Sequence, residues 1–153
     1  MKRYWLMKTE PETYSIDDLK RDKSEHWDGI RNYQARNFMM QDMRVGDAVL
    51  FYHSNCKVPG IIGLAKVSKE AYPDFTAWDP EAKYYDPKST SDNPRWFMVD
   101  VAYVKTFKEV ISLSGMREMP ELDGMRLLQK GNRLSIMPVE EGQFRHICKL
   151  AGC

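Results

Sequence analysis

Residues 3–8 (RYWLMK), a short apolar run flanked by charges, predict a first strand with Tyr4, Leu6 and Lys8 on one face and Trp5 and Met7 on the other. Glu10-Pro11 ends it. Ser15, followed by Ile16, Asp17, Asp18 and Leu19, predicts a capped short helix that finishes near Asp22. Trp27 then closes a short strand and Gly29 permits a turn. Asn32 is placed to cap a helix running to about Met43, with Ala35, Phe38, Met39 and Met43 on its apolar face. Val45-Gly46-Asp47 breaks that helix, and residues 48–53 (AVLFYH) form a strongly apolar strand. After a loop at 54–60, residues 61–67 read as another strand, in which Gly63 signals a bulge or a close backbone approach.

Residues 72–94 interrupt the pattern with Pro73, Pro80, Pro87 and Pro94 and the polar run KSTSDN. This predicts a long loop. Its aromatics (Tyr72, Phe75, Trp78, Tyr84, Tyr85) imply that it lies down on the body of the domain. Residues 95–107 give the clearest strand; 109–119 fit either helix or strand. Residues 122–129 read as a short helix closed by Gly131, 134–137 as an extended piece and 140–150 as a terminal helix. Strand pairs joined by loops, with short helices between, predict an α+β domain built on a largely antiparallel sheet that curls toward a barrel.

The 153 residues contain no repeat and no long linker, so one domain spanning residues 1–153 is expected. The apolar part of the start, MKRYWLMKTEP, is too short for a signal peptide, and no run reaches membrane-span length. Cys56, Cys148 and Cys153 are scattered without a CxxC pair. That argues against a zinc site or a disulfide framework and fits a reducing, cytoplasmic setting. The net charge is +1, so a nucleic-acid partner would be held through base contacts and stacking more than through phosphates.

Recognisable catalytic motifs are absent: the chain has no GxSxG, no phosphate-binding glycine loop and no GxGxxG. His26, His53 and His146 lack metal-ligand spacing, and no cofactor is implied. Cys56 stands three residues from His53, but on a strand leading into a loop that spacing does not point the two side chains at each other. The carboxylates Asp74, Asp79, Glu81 and Asp86 read as turn formers in the Pro-rich loop. What stands out is residues 27–38, WDGIRNYQARNF, with a Trp, a Tyr, a Phe, two Arg, two Asn and a Gln in twelve positions. Flat rings and planar amides together suit a nucleobase, which needs surfaces above and below its ring and hydrogen-bonding groups at its edge. Trp5, Tyr52 and Trp96 lie on predicted strands and read as core, and Arg36 on a helix as solvated or paired. For Trp27 the residue types leave core and ligand wall equally open.

The segments YWLMKTEP, YSIDDL, WDGIRNYQARN, GDAVLFYHSN, GIIGLAKV, PRWFMVDV and NRLSIMPV, in this order across essentially the whole chain, resemble the EVE domain family. That family is a branch of the PUA-like fold, related to YTH readers of methylated adenine in RNA. The resemblance implies a curved mixed or antiparallel β-barrel of five or six strands flanked by short helices. It also implies a pocket for a modified base, either a methylated or oxidised cytosine or a modified adenine, in DNA or RNA. In motif order, Trp27 corresponds to a cage tryptophan of the YTH readers. Arg31, Asn32 and Tyr33 are expected at the pocket mouth, Asn37, His53, Ser54 and Asn55 around it, and Trp78 as a second wall. Weak backbone contacts are assigned to Lys8, Arg36, Lys57, Arg95 and Arg133. The chain starts at the first strand without the basic extension of animal members, and so looks like the compact bacterial form. Glu140 stands where many relatives place a Ser or Thr cap, a loss worth about 1 kcal/mol to the terminal helix.

Stacking on one aromatic contributes about 1–3 kcal/mol, while extracting a base from a duplex costs a few. One wall therefore roughly breaks even on duplex, and two walls or a single strand leave a surplus. A buried methyl adds only about 0.8 kcal/mol, so sharper choice needs an edge group left unpaired by the wrong base; Asn32, Asn37, Ser54 and Asn55 are candidates. The expected function is a binding module for nucleic acid carrying a modified base, with no metal and no membrane partner. Two alternatives are an enzyme of nucleic-acid modification or hydrolysis, using His53, Arg31 and Asp28, and a binder of a free nucleotide-like metabolite.

Overall fold

The structure, a computed structural model, describes residues 2–153. The apolar N-terminal segment forms β1 (Tyr4–Thr9). Ser15 caps α1 (Ile16–Asp22): its hydroxyl accepts from the Asp18 N–H at 3.1 Å, and the Asp18 carboxylate accepts from the Ser15 N–H at 2.8 Å. This reciprocal box satisfies donors that a helix start leaves bare. The short β2 (Ser24–His26) hands the chain to Trp27, whose N–H donates to the Val99 carbonyl at 2.8 Å. Asn32 caps α2 (Tyr33–Asn37), accepting from the Ala35 N–H at 2.9 Å. A single π turn, Phe38–Asp42, extends α2, and the Met43 N–H closes it on the Phe38 carbonyl at 3.0 Å. The helical run thus ends where its apolar spacing predicted.

Three long strands follow: β3 (Ala48–His53), β4 (Gly60–Pro73) and β5 (Phe97–Ser112). The last two outrun their sequence signals. Their antiparallel pairing shifts register four times, between Ile61 and Tyr72 on the β4 side. Such bulges break the two-residue alternation that marks a strand while pairing continues. The ambiguous 109–119 region resolves into the end of β5 and α3 (Leu113–Met116). The helix expected over 122–129 does not form. Two 3₁₀ turns, Pro120–Leu122 and Arg126–Leu128, replace it, separated by Gly124 at φ +83°. The chain ends with β6 (Ile136–Val139) and α4 (Glu141–Ala151). The start of α4 keeps part of a cap: the Gln143 side-chain oxygen accepts from the Glu140 N–H at 3.1 Å.

The strands form one sheet in the order β2-β5-β4-β3-β1-β6. β1 runs parallel to β3, and the other pairings are antiparallel. The α+β class and the mixed six-stranded sheet match expectation, but the sheet is not a closed barrel. Its edges, β2 and β6, are three and four residues long and do not pair with each other. Closure requires edge strands long enough to tilt and stagger against one another.

Both faces of the sheet are covered. Trp5, Met7, Val49, Phe51, Val67 and Val99 pack under α1 and α2. Leu6, Leu50, Tyr52, Ile61, Phe107 and Met137 pack against α4 and the 3₁₀ turns. This double burial explains why β3 is apolar without alternation. Gly63 marks both a register shift, between Ile61 and Gly63, and a close approach: a Cβ there would stand 2.7 Å from the Lys105 carbonyl oxygen and 2.7 Å from Ile16 Cδ1. A glycine is what lets α1 sit down on the sheet, and the loops after α1 and β2 are placed accordingly.

Candidate functional site

Past β2 the chain turns outward at Gly29, φ +79°, beside a cleft of about 620 Å³. That volume is in the range of small-molecule sites. Trp27, Asp28, Gly29, Tyr14, Ser54 and Tyr84 are among the lining residues. Trp27 is 7% exposed, so it serves the core and the cleft together. Its indole meets Phe51 edge-on at 5.7 Å and 85°, and Tyr14 at 6.3 Å and 88°. Two perpendicular neighbours fix the ring and pre-order it for a ligand.

Asp74 holds the cleft together. Its carboxylate is fully buried and accepts from the Gly29 N–H at 2.9 Å, the Arg31 guanidinium at 3.0 Å, and the Thr76 N–H and hydroxyl at 2.9 and 2.5 Å. Burial pushes its pKa up, but the bonds from Thr76, Gly29 and Arg31 outweigh that and hold it below the usual carboxylate value. Arg31 in turn donates Nε–H to the Tyr84 carbonyl at 3.0 Å. Its Nη2 is buried without a hydrogen-bond partner, and the Trp96 ring, 5.5 Å from the guanidinium carbon, supplies a cation–π contact in compensation. The Pro-rich loop is thereby anchored with Tyr84 against the Gly29 backbone; a Cβ on Gly29 would come within 2.8 Å of that ring.

Of the residues expected around a base, Trp27 and Ser54 line the cleft. Asn55 stands next to it, donating to the Glu10 carboxylate at 3.2 Å, and Glu10 is a lining residue. The others are placed elsewhere. Arg31 is spent on Asp74 and Tyr84, and Asn32 on the α2 cap. Tyr33 stacks on Trp96 at 4.8 Å and 25°, with the Arg36 guanidinium 4.7 Å from the Tyr33 ring. Asn37 accepts from Arg36 at 3.0 Å. His53 accepts from the Ile16 N–H through Nε2 at 3.1 Å, tying α1 to β3, and burial lowers its pKa. Trp78 is half-buried on a 3₁₀ turn, Phe75–Trp78, outside the lining; Tyr84 takes the place expected of it. Nothing in the sequence ranks Tyr84 above the loop's other aromatics, because an anchor to Asp74 through Arg31 is visible only in three dimensions.

The cations assigned to backbone contact are scattered in role. Lys8 is half-buried with Nζ 5.7 Å from the Tyr52 ring, and desolvation lowers its pKa. Arg36 donates to the Arg95 carbonyl at 3.1 Å, and Arg95 stands 3.7 Å from Asp86. Lys57 and Arg133 are exposed. Trp5 and Tyr52 are buried on their strands as expected, and Trp96 is buried too, although it lies just before β5 and not on it. His53, Arg31 and Asp28 do not converge on one point, since only Asp28 lines the cleft. The Cys56 thiol reaches the His53 carbonyl at 3.8 Å and makes no contact with its imidazole. Among the described residues, no three His, Cys, Asp or Glu side chains gather as a metal-ligand set.

Comparison with known proteins fits this architecture. Human thymocyte nuclear protein 1 is 43% identical over 166 residues, covering 96% of this chain and 73% of that protein. The crystal structure of the human protein in complex with 5-methylcytosine-containing DNA superposes with a TM-score of 0.92 at 42% identity, covering 99% of both chains. A crystal structure from Pseudomonas putida gives 0.93 at 50% identity, over 97% of this chain and 99% of that one. The EVE domain model matches residues 3–150, and the chain belongs to the EVE domain family.

Proposed function

We propose that this protein is a nucleic-acid-binding module that takes a modified base, such as 5-methylcytosine, into the cleft beside Trp27. The observation that carries the reading is an open cleft against a rigidly held indole. The solved complex of the human relative with 5-methylcytosine-containing DNA supports it. Tyr84 lines the cleft along with Trp27 and Tyr14, and a base stacked on two such rings, each worth about 1–3 kcal/mol, offsets the few kcal/mol of extracting it from a duplex. A near-neutral chain adds little phosphate attraction to this balance, so the base itself must supply the affinity.

The test is titration of matched oligonucleotides with and without modified cytosines or adenines against wild type, Trp27→Phe and Tyr84→Ala. Trp27→Ala is a poor first choice, since a buried Trp→Ala change costs about 3–5 kcal/mol of stability by itself. Preference for a modified base in the wild type, reduced in both variants, is expected. The reading is wrong if no modified base is preferred, or if both folded variants bind as the wild type does.

A further inference from the structure

The cleft carries a charge pattern that bears on which bases it accepts. Its lining includes three carboxylates, Glu10, Glu25 and Asp28, with Lys83 and His26 as the basic residues. Phosphate is repelled from such a mouth, so what enters is a base edge. Two of the three carboxylates are already engaged. Glu10 accepts from Asn55 at 3.2 Å. Glu25 accepts from the His26 N–H at 2.9 Å and lies 3.0 Å from the His26 Nδ1. Asp28 is exposed, directly follows Trp27, and among the described residues neither accepts a side-chain hydrogen bond nor forms an ion pair.

We propose that the Asp28 carboxylate accepts the exocyclic amino group of the base stacked on Trp27, restricting the cleft to amino-bearing bases. This rests on the base-reading function proposed above. A carboxylate is an acceptor only, and Asp or Glu pairs naturally with the N4 amino group of cytosine. Adenine offers an equivalent N6 donor. Thymine and uracil present a carbonyl oxygen at the corresponding place, which sets lone pairs against the carboxylate and leaves both groups unpaired. Methylation at C5 alters only the apolar contact, so the amino test and the methyl test are separable.

Four single-stranded oligonucleotides, identical except for one central cytosine, 5-methylcytosine, uracil or thymine, make that separation. Single strands remove differences in unpairing cost. 5-Methylcytosine and thymine share the C5 methyl and differ at position 4. The wild type is expected to bind 5-methylcytosine at least about tenfold tighter than thymine, the lower half of the range for one good edge contact. In Asp28→Asn the amide can present either a donor or an acceptor, and the ratio falls to about two or less. Circular dichroism and a thermal melt confirm that this exposed substitution leaves the fold intact. Equal binding of 5-methylcytosine and thymine by the wild type, or an undiminished ratio in Asp28→Asn, overturns the inference while leaving a methyl preference standing. Absence of binding to all four oligonucleotides and to modified adenine overturns the base-reading function and this inference with it.

Discussion

The segment WDGIRNYQARNF divides between two aromatic centres with nearly the same composition and different work. Its first four residues face the open cleft. Further along it, Tyr33 lies on Trp96, with Arg31 and Arg36 near the Trp96 ring at 5.5 and 5.9 Å. In the stack every flat group already has a flat partner. In the cleft the aromatic neighbours of Trp27, Phe51 and Tyr14, both meet it edge-on, and neither stacks on it. Planar side chains therefore mark a ligand site only where their faces are not already used. Arg31 joins the two centres, paired with Asp74 on one side and close to Trp96 on the other.

The largest expected effect comes from the joint. Asp74→Ala takes the carboxylate partner from the half-buried Arg31 guanidinium and frees the donors of Gly29 and Thr76. Loss of about 3–5 kcal/mol is expected, a drop on the order of 10 °C in Tm, together with loss of base binding. A calorimetric scan checks the first and an oligonucleotide titration the second. An unchanged Tm would mean that the two centres are held independently.

Tyr84→Ala and Tyr33→Ala then separate the centres. Tyr84 is 46% exposed, so its removal changes stability by less than about 0.5 kcal/mol but weakens modified-base binding by about 1–3 kcal/mol. Tyr33, 52% exposed, shows the reverse: about 1 kcal/mol of stability from its stack and cation–π contact, with base affinity unaltered. Denaturant melts and binding isotherms on the same samples measure both. Equal effects of the two changes on binding would erase the distinction.

The smallest effect is in pH. His53 accepts a hydrogen bond through Nε2, and burial lowers its pKa from 6.5, so the folded state holds fewer protons there than the unfolded chain. Its contribution is complete above about pH 6.5 and declines as pH falls through the folded-state value. Asp74, depressed below the carboxylate value, behaves alike at lower pH: its contribution is present above about pH 4 and lost as the pH drops further. Tm measured against pH for wild type and His53→Gln isolates the histidine part, which disappears in the variant.

The local grammar of the chain was readable. Ser15 and Asn32 cap their helices, Gly63 marks a close approach, and the burial of Trp5 follows from its strand. These features depend on neighbours a few residues away or on the two faces of one strand. The 3₁₀ turns at 120–128 and the bulged extensions of β4 and β5 were not readable, because backbone pairing there overrides side-chain pattern. The intramolecular partners of the expected site residues were least legible: Arg31 pairs with Asp74, Asn32 caps α2 and Tyr33 stacks on Trp96, each across a distance no local pattern encodes or through a cap it shares with the fold.

The sequence by itself determined the family, the capped starts of the first two helices and the cores of the main strands, since each is written in contiguous residues. Only the tertiary structure decided that the sheet stays open and that Tyr84 rather than Trp78 stands at the cleft. It also decided which planar side chains stack on one another, as Tyr33 does on Trp96. The physical reason is that a hydrogen-bonding or stacking group has a limited capacity, and whether a partner dozens of residues away has filled it is settled only when the chain closes on itself.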